Sequence, residues 1–250
     1  MAVLHIAWRE LRSAWTTPVA WLMLSAWLVL AGLFWYAGVN NYVLQSQNLL
    51  FDPYAASMLT LKDYLITPWF GNMLVVQIIV CPALAMGLFT REYSQRTMEL
   101  LLTSPVHTWQ VVLGKYLGAM GLGALLMLGT FYVPATVYWY ATPDWGPFIG
   151  GYLALLLVQS VLISVGMVCS AFSRSQVLAF IWGLAVTLGL YIVSWLSDDP
   201  TSMLAQVSIS GHLEDIFMGS LRLSDLTYFA SFTVLMLFVT QQRLESFRWA

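Results

Sequence analysis

The sequence predicts an all-α integral membrane protein with six transmembrane helices and both termini on the cytoplasmic side. Composition, run length and the placement of charge carry that prediction. Hydrophobic residues make up 60% of the 250-residue chain and charged residues only 9%, against the roughly 25% charged that soluble domains carry. Apolar runs recur at about the 20 residues that a helix needs to cross a bilayer. With a cytoplasmic N-terminus, the inner side holds Arg9, Arg12, Arg91, Arg96, Lys115, Arg174, Arg243 and Arg248 and the outer side only Lys62 and Arg222, eight against two. That is a strong positive-inside bias. The acids lean the other way, with Glu10, Glu92, Glu99 and Glu245 inside and the remaining eight outside. The chain leaves no room for a large separate domain, so residues 1–250 read as one membrane domain.

Each element has its own warrant. Residues 1–18 read as an interfacial helix, because Leu4, Ala7, Trp8, Leu11 and Trp15 recur at helical spacing opposite His5, Arg9, Arg12 and Thr16. Pro18 closes it. Residues 19–39 carry no charge and form the first span, too long for a signal-peptide core and therefore read as retained. Trp35 and Tyr36 near its end suit the far headgroup region. An external loop over 40–68 leads to the second span, 69–89, which Pro82 is expected to kink. The third span, 117–140, follows Lys115 and contains Pro134. Gly114/Gly118 and Ala119/Gly123 are spaced for close backbone approach, a spacing that also arises by chance in a chain with 17 glycines. A tight turn over 142–147 leads to the fourth span, 148–172; the fifth covers 177–195 and the last 226–240. Between these two, Ile209 to Leu221 mixes apolar and acidic positions in a way that fits a short helix dipping into the outer leaflet. Trp69, Phe70 and Trp139 read equally as interface anchors or as part of a lipid-binding wall.

The chemistry is defined as much by what these residues exclude. No span so drawn contains Asp, Glu, Lys, Arg or His, which disfavours an ion-coupled carrier, because such carriers place an ionisable group at membrane depth. His5, His107 and His212 fall in three separate segments, and Cys81 and Cys169 lie inside apolar runs, so neither a metal site nor a disulfide framework is expected. Gly114-Lys115 is followed by Tyr116 and lacks the upstream glycine of a phosphate-binding loop. Any energy must come from another subunit. The net charge of −2 gives no reason to expect nucleic acid.

One stretch gathers charge between two apolar runs: Arg91 to Pro105. At helical spacing Tyr93, Thr97, Leu100 and Leu101 share one face, while Arg91, Glu92, Gln95, Arg96 and Glu99 fill the other. Glu92 stands four residues before Arg96, the favourable order for a helical ion pair, and Pro105 stops the helix. These residues describe either a connecting loop helix or a contact with a partner.

Three stretches resemble the membrane subunits of type-2 ABC transporters, in particular the gliding-motility-associated permease subgroup and its relatives in bacterial exporters. Trp8-Arg9-Glu10-Leu11-Arg12-Ser13 with Thr17-Pro18 is similar to the family's entry helix. Thr97-Met98-Glu99-Leu100-Leu101-Leu102-Thr103-Ser104-Pro105-Val106, followed by Val112-Leu113-Gly114-Lys115, resembles the coupling helix and the start of the third span. His212-Leu213-Glu214-Asp215 with Gly219 and then Leu223 to Phe229 resembles the segment that forms short re-entrant helices at the outer gate. The family commonly has glycine before the Thr of the coupling motif, whereas Arg96 stands here, which bears on the local backbone turn.

The resemblance implies a non-catalytic permease subunit of an ATP-driven exporter in the bacterial cytoplasmic membrane. Two copies of a cytoplasmic ABC ATPase would carry ATP and Mg, and this chain would need no cofactor of its own. A second permease copy or a related permease would complete the membrane dimer, with a periplasmic or membrane accessory protein as a further partner. Arg91, Glu92, Arg96, Thr97, Glu99, Leu100 and Leu101 would form the ATPase-coupling set. Glu214, Asp215, Arg222 and Asp225 would shape the outer gate, or simply form a solvated external face. The alternative is a membrane anchor or force-transmitting scaffold, in which the ATPase cycle moves an external partner and no substrate crosses.

Overall fold

The computed structural model describes residues 2–48, 60–97, 106–140, 145–193, 208–217 and 222–247, and the regular structure among these residues is helical. Helix α1 spans Ala2–Trp15 and α2 Pro18–Asn48. A π-helical turn, Lys62–Ile66, runs into α3, Thr67–Ala85, and a break at Met86 separates α3 from α4, Gly87–Ser94. Helix α5, Thr108–Leu128, passes through a 3-10 turn at Gly129–Phe131 into α6, Tyr132–Tyr140. Then come α7, Trp145–Phe172, α8, Gln176–Ile192, the short α9, Glu214–Phe217, and α10, Leu223–Ser246.

Five stretches among the described residues are long and apolar enough to cross a membrane: Pro18–Gln47, Lys62–Ser94, Thr108–Trp139, Trp145–Phe172 and Leu223–Ser246. The expected fifth span corresponds to α8, which is apolar but has only 17 residues. Helix also continues past the expected span ends, through polar residues. Helix α2 runs on through Asn40 and Asn41, where an external loop was expected, and α5 begins at Thr108 and so takes in Lys115. The longer helices also take in charged residues that the expected spans left out. Lys115 is 1% exposed and Asp225 5%, each inside a long apolar helix and each held by a partner.

Helix α7 is the centre of the bundle. Its Ala154, Val158, Val161, Leu162, Val165 and Met167 are buried, and α3, α5, α8 and α10 pack around it. Trp69 and Phe70 belong to this core and are not interface anchors: each is 1% exposed, and the Trp69 indole donates to the Ala31 carbonyl of α2 at 3.0 Å. Trp139, at 86% exposure, stands on the outside.

The prolines show how the bundle repairs its own helices. Pro82 has no N–H, so the Ile78 carbonyl loses its helical donor; the Thr187 hydroxyl of α8 lies 3.4 Å from it. Pro134 deprives the Thr130 carbonyl in the same way, and the Tyr152 hydroxyl of α7 donates to it at 3.0 Å. At the Met86 break, the Ser170 hydroxyl of α7 donates to the Met86 carbonyl at 2.9 Å and accepts from the amides of Phe89 and Thr90 at 3.0 and 3.3 Å. Inside a bilayer no water can satisfy such groups, so neighbouring helices must.

Candidate functional site

Helix α1 lies directly against α5. Gly114 and Gly118 form the seam: a Cβ at 114 would stand 2.7 Å from Ile6 Cβ, and one at 118 would stand 2.7 Å from Glu10 Cβ. The small-residue spacing in the sequence therefore seats the entry helix. This approach brings Glu10 down beside Lys115, while α4 brings Glu92 from the other side.

The Lys115 ammonium uses all three protons. It donates to Glu10 Oε1 at 3.0 Å, to the Leu88 carbonyl at 2.6 Å and to Glu92 Oε1, and it lies 5.4 Å from the Phe89 ring centroid. A lysine so buried is tolerated because it is paired and fully hydrogen-bonded. One ammonium faces two carboxylates, and Glu92 Oε2 is buried with no hydrogen-bond partner among the described residues. The cluster joins three segments distant in sequence: α1, the α4 end of the second span, and the first turns of α5.

The stretch read as one helix from Arg91 toward Pro105 is interrupted. Helix α4 stops at Ser94, and Arg96 takes φ 55°, the left-handed region. The Arg96 amide bonds the Tyr93 carbonyl at 3.2 Å and the Thr97 amide bonds the Glu92 carbonyl at 3.0 Å, the paired bonds of a Schellman stop. Glycine is the residue that this position favours, so Arg96 adopts the glycine conformation at a steric cost of about 1 kcal/mol. The expected Glu92–Arg96 pair gives way because Glu92 is turned inward to Lys115. Arg91 and Arg96 stay exposed and Thr97 ends the described segment; Glu99, Leu100 and Leu101 lie outside the described residues.

Arg91, Gln95 and Thr97 line a cavity of about 870 Å3 together with Arg9, Glu10 and Lys115. Across the same end of the bundle, the Arg243 guanidinium of α10 lies 4.9 and 4.5 Å from the ring centroids of Phe172 and Phe247, and Tyr93 meets Phe247 edge-on at 5.7 Å. The ends of α4, α7 and α10 thus meet one another through Tyr93, Phe172 and Arg243.

At the opposite end, the structure pairs two residues that stand 13 apart in the sequence. His212 Nδ1 lies 2.8 Å from Asp225 Oδ1, and the imidazole stacks on Tyr228 at 4.2 Å. Asp225 is therefore a buried structural partner in the first turn of α10, not part of a solvated face. Arg222, at the N-cap position of α10, is exposed. Glu214 and Asp215 begin α9, with side chains outside the described residues. Helix α9 packs its Ile216 and Phe217 inward, Phe217 stacking on Phe70 with ring centroids 6.2 Å apart.

Sequence reasoning missed Glu10 and Lys115 as site residues. The available signal was Lys115 sitting well inside the apolar run that begins at Thr108, with Glu10 on an amphipathic helix that had to lie against something. Residues 4–245 match a family model described as ABC-2 family transporter protein. Comparison with curated proteins gives no significant match.

Proposed function

The chain belongs to the ABC-2 transporter family as a membrane permease subunit, and from that premise we propose that it couples ATP hydrolysis by a separate ATPase pair to export across the bacterial cytoplasmic membrane. In this reading the arginine-bearing end faces the cytoplasm, as the eight-against-two split of Lys and Arg supports. Each ATPase meets the segment after α4, through Arg96, Thr97 and Glu99, with Leu100 and Leu101 anchoring it to the bundle. Glu92 works from within, holding that segment to Lys115. ATP and Mg belong to the ATPase, and this chain performs no catalysis.

The observation that carries the proposal is the Lys115 cluster. A push delivered just beyond Thr97 reaches α4 through the Schellman stop, then passes through one ammonium to α1 and α5 together. Three elements that cross or line the membrane therefore move as one body. A second permease copy is expected against the exposed apolar faces, the short helices before α10 form the re-entrant outer gate, and the gliding-motility-associated subgroup is the finer placement within the family. The test is co-purification with the ATPase subunit. Glu99→Lys and Arg96→Glu are expected to release the ATPase, and retention by both variants refutes the assigned contact. ATP-dependent uptake into inverted vesicles then reads export directly.

A further inference from the structure

Three cavities run into one another along the seam between α1–α2 and the wall formed by α3, α4 and α5. One, about 30 Å3, is apolar and includes Trp15, Leu24, Leu125 and Leu126. It shares Ala20, Met23, Leu84 and Leu122 with a second cavity of about 70 Å3. That one in turn shares Glu10, Thr17, Gly87 and Arg91 with the wide polar cavity of about 870 Å3. Polarity thus rises along one furrow, from leucines at its inner end to Arg9 and Arg91 at its mouth.

The charge at the mouth is unbalanced. Arg9, Arg91 and Lys115 face Glu10 and Glu92, and Lys115 is committed to both carboxylates. Arg9 is 64% exposed and only grazes Glu10, at 3.6 Å; Arg91 has no ion-pair partner among the described residues. Gly87 leaves room for Arg91 to fold back over the furrow, since a Cβ at 87 would stand 2.8 Å from Arg91 Nε. Trp8 and Trp21 are exposed on α1 and α2, and the Trp21 indole donates to the carbonyl of Trp15, which lines the apolar end of the furrow, at 3.1 Å; such aromatics suit the headgroup layer.

We propose that this furrow holds one anionic phospholipid from the surrounding leaflet, its phosphate on Arg9 and Arg91 and one acyl chain along the leucine-lined channel. Guanidinium and phosphate match in charge and fork geometry. At about 30 and 70 Å3 the apolar cavities take only a few methylenes of one acyl chain, the remainder passing out into the bilayer. The lipid then acts as a wedge between the entry helix and the second span, next to the Lys115 cluster. Lipid retention is read without the ATPase, so its outcome is separate from that of the coupling reading.

The test is native mass spectrometry of the full chain in mild detergent, incubated with phosphatidylglycerol or phosphatidylcholine, with inorganic phosphate as competitor. Phosphatidylglycerol is expected to be retained in preference to phosphatidylcholine and to resist millimolar phosphate. Neutralising Arg9→Gln or Arg91→Gln weakens retention about fivefold each, and both together about thirtyfold, from roughly 1 kcal/mol per basic residue near a membrane surface. Gly87→Ala, which displaces only the far end of Arg91, gives part of the Arg91 effect, and Leu122→Trp, which blocks the channel, lowers retention with both arginines present. Equal retention of the two lipids, displacement by phosphate, or unchanged retention in the double arginine variant and in Leu122→Trp overturns the proposal.

Discussion

Replacing Lys115 with Met keeps the length of the side chain and removes the charge that holds α1, α4 and α5 together. Two carboxylates then face each other without a cation, and the Leu88 carbonyl loses a donor. Breaking a buried pair by removing one partner costs roughly 3–5 kcal/mol. Glu10 and Glu92 keep 18% and 16% side-chain exposure, so water can reach them in part and the lower bound, about 3 kcal/mol, is expected. Glu92→Gln should cost far less, about 1 kcal/mol, because it leaves a one-to-one pair with Glu10 and relieves the excess negative charge. The informative variant is the triple Lys115→Met, Glu10→Gln, Glu92→Gln. If the penalty is uncompensated charge, the triple variant recovers to within about 1 kcal/mol of the parent, a coupling between neighbours that additivity cannot give. Unfolding titrations in mixed micelles measure all three. A single Lys115→Met variant as stable as the parent, or a triple variant no better than that single, refutes the electrostatic account and leaves only packing.

Two further outcomes are expected from the backbone. Arg96→Gly removes a side chain from a left-handed position and should stabilise the helix stop by about 1 kcal/mol, read in the same titration; Arg96→Val should destabilise it. Tyr152→Phe leaves the Thr130 carbonyl below Pro134 without its hydroxyl donor and should cost about 1 kcal/mol, whereas Tyr132→Phe, whose hydroxyl bond to Leu28 is long at 3.5 Å, should cost little.

Periodicity and the counting of charges made the helices legible and obscured where they end. The amphipathic pattern of residues 2–15 is a property of one segment, and α1 lies where it was expected, with Pro18 opening α2 in its first turn. Lys115 reads as a boundary in the sequence because a lone cation beside an apolar run looks like one. Its tolerance depends on Glu10, 105 residues away, and on Glu92, 23 residues away, and no local pattern encodes those distances. Arg96 was legible as an anomaly, an arginine where a glycine was expected, but not as a left-handed stop that aims Glu92 inward. Asp225 reads as one more external acid because its partner, His212, is set by the fold of the segment before α10.

The mending of α3, α4 and α6 by α7 and α8 also sets an order for assembly. As the chain emerges, the Met86 break enters the bilayer before Ser170 exists, and the two are 84 residues apart. At about 5–20 residues per second, translation leaves that stretch waiting for roughly 4–17 seconds. Through that interval the amides of Phe89 and Thr90 wait for the hydroxyl oxygen that they share in the finished bundle.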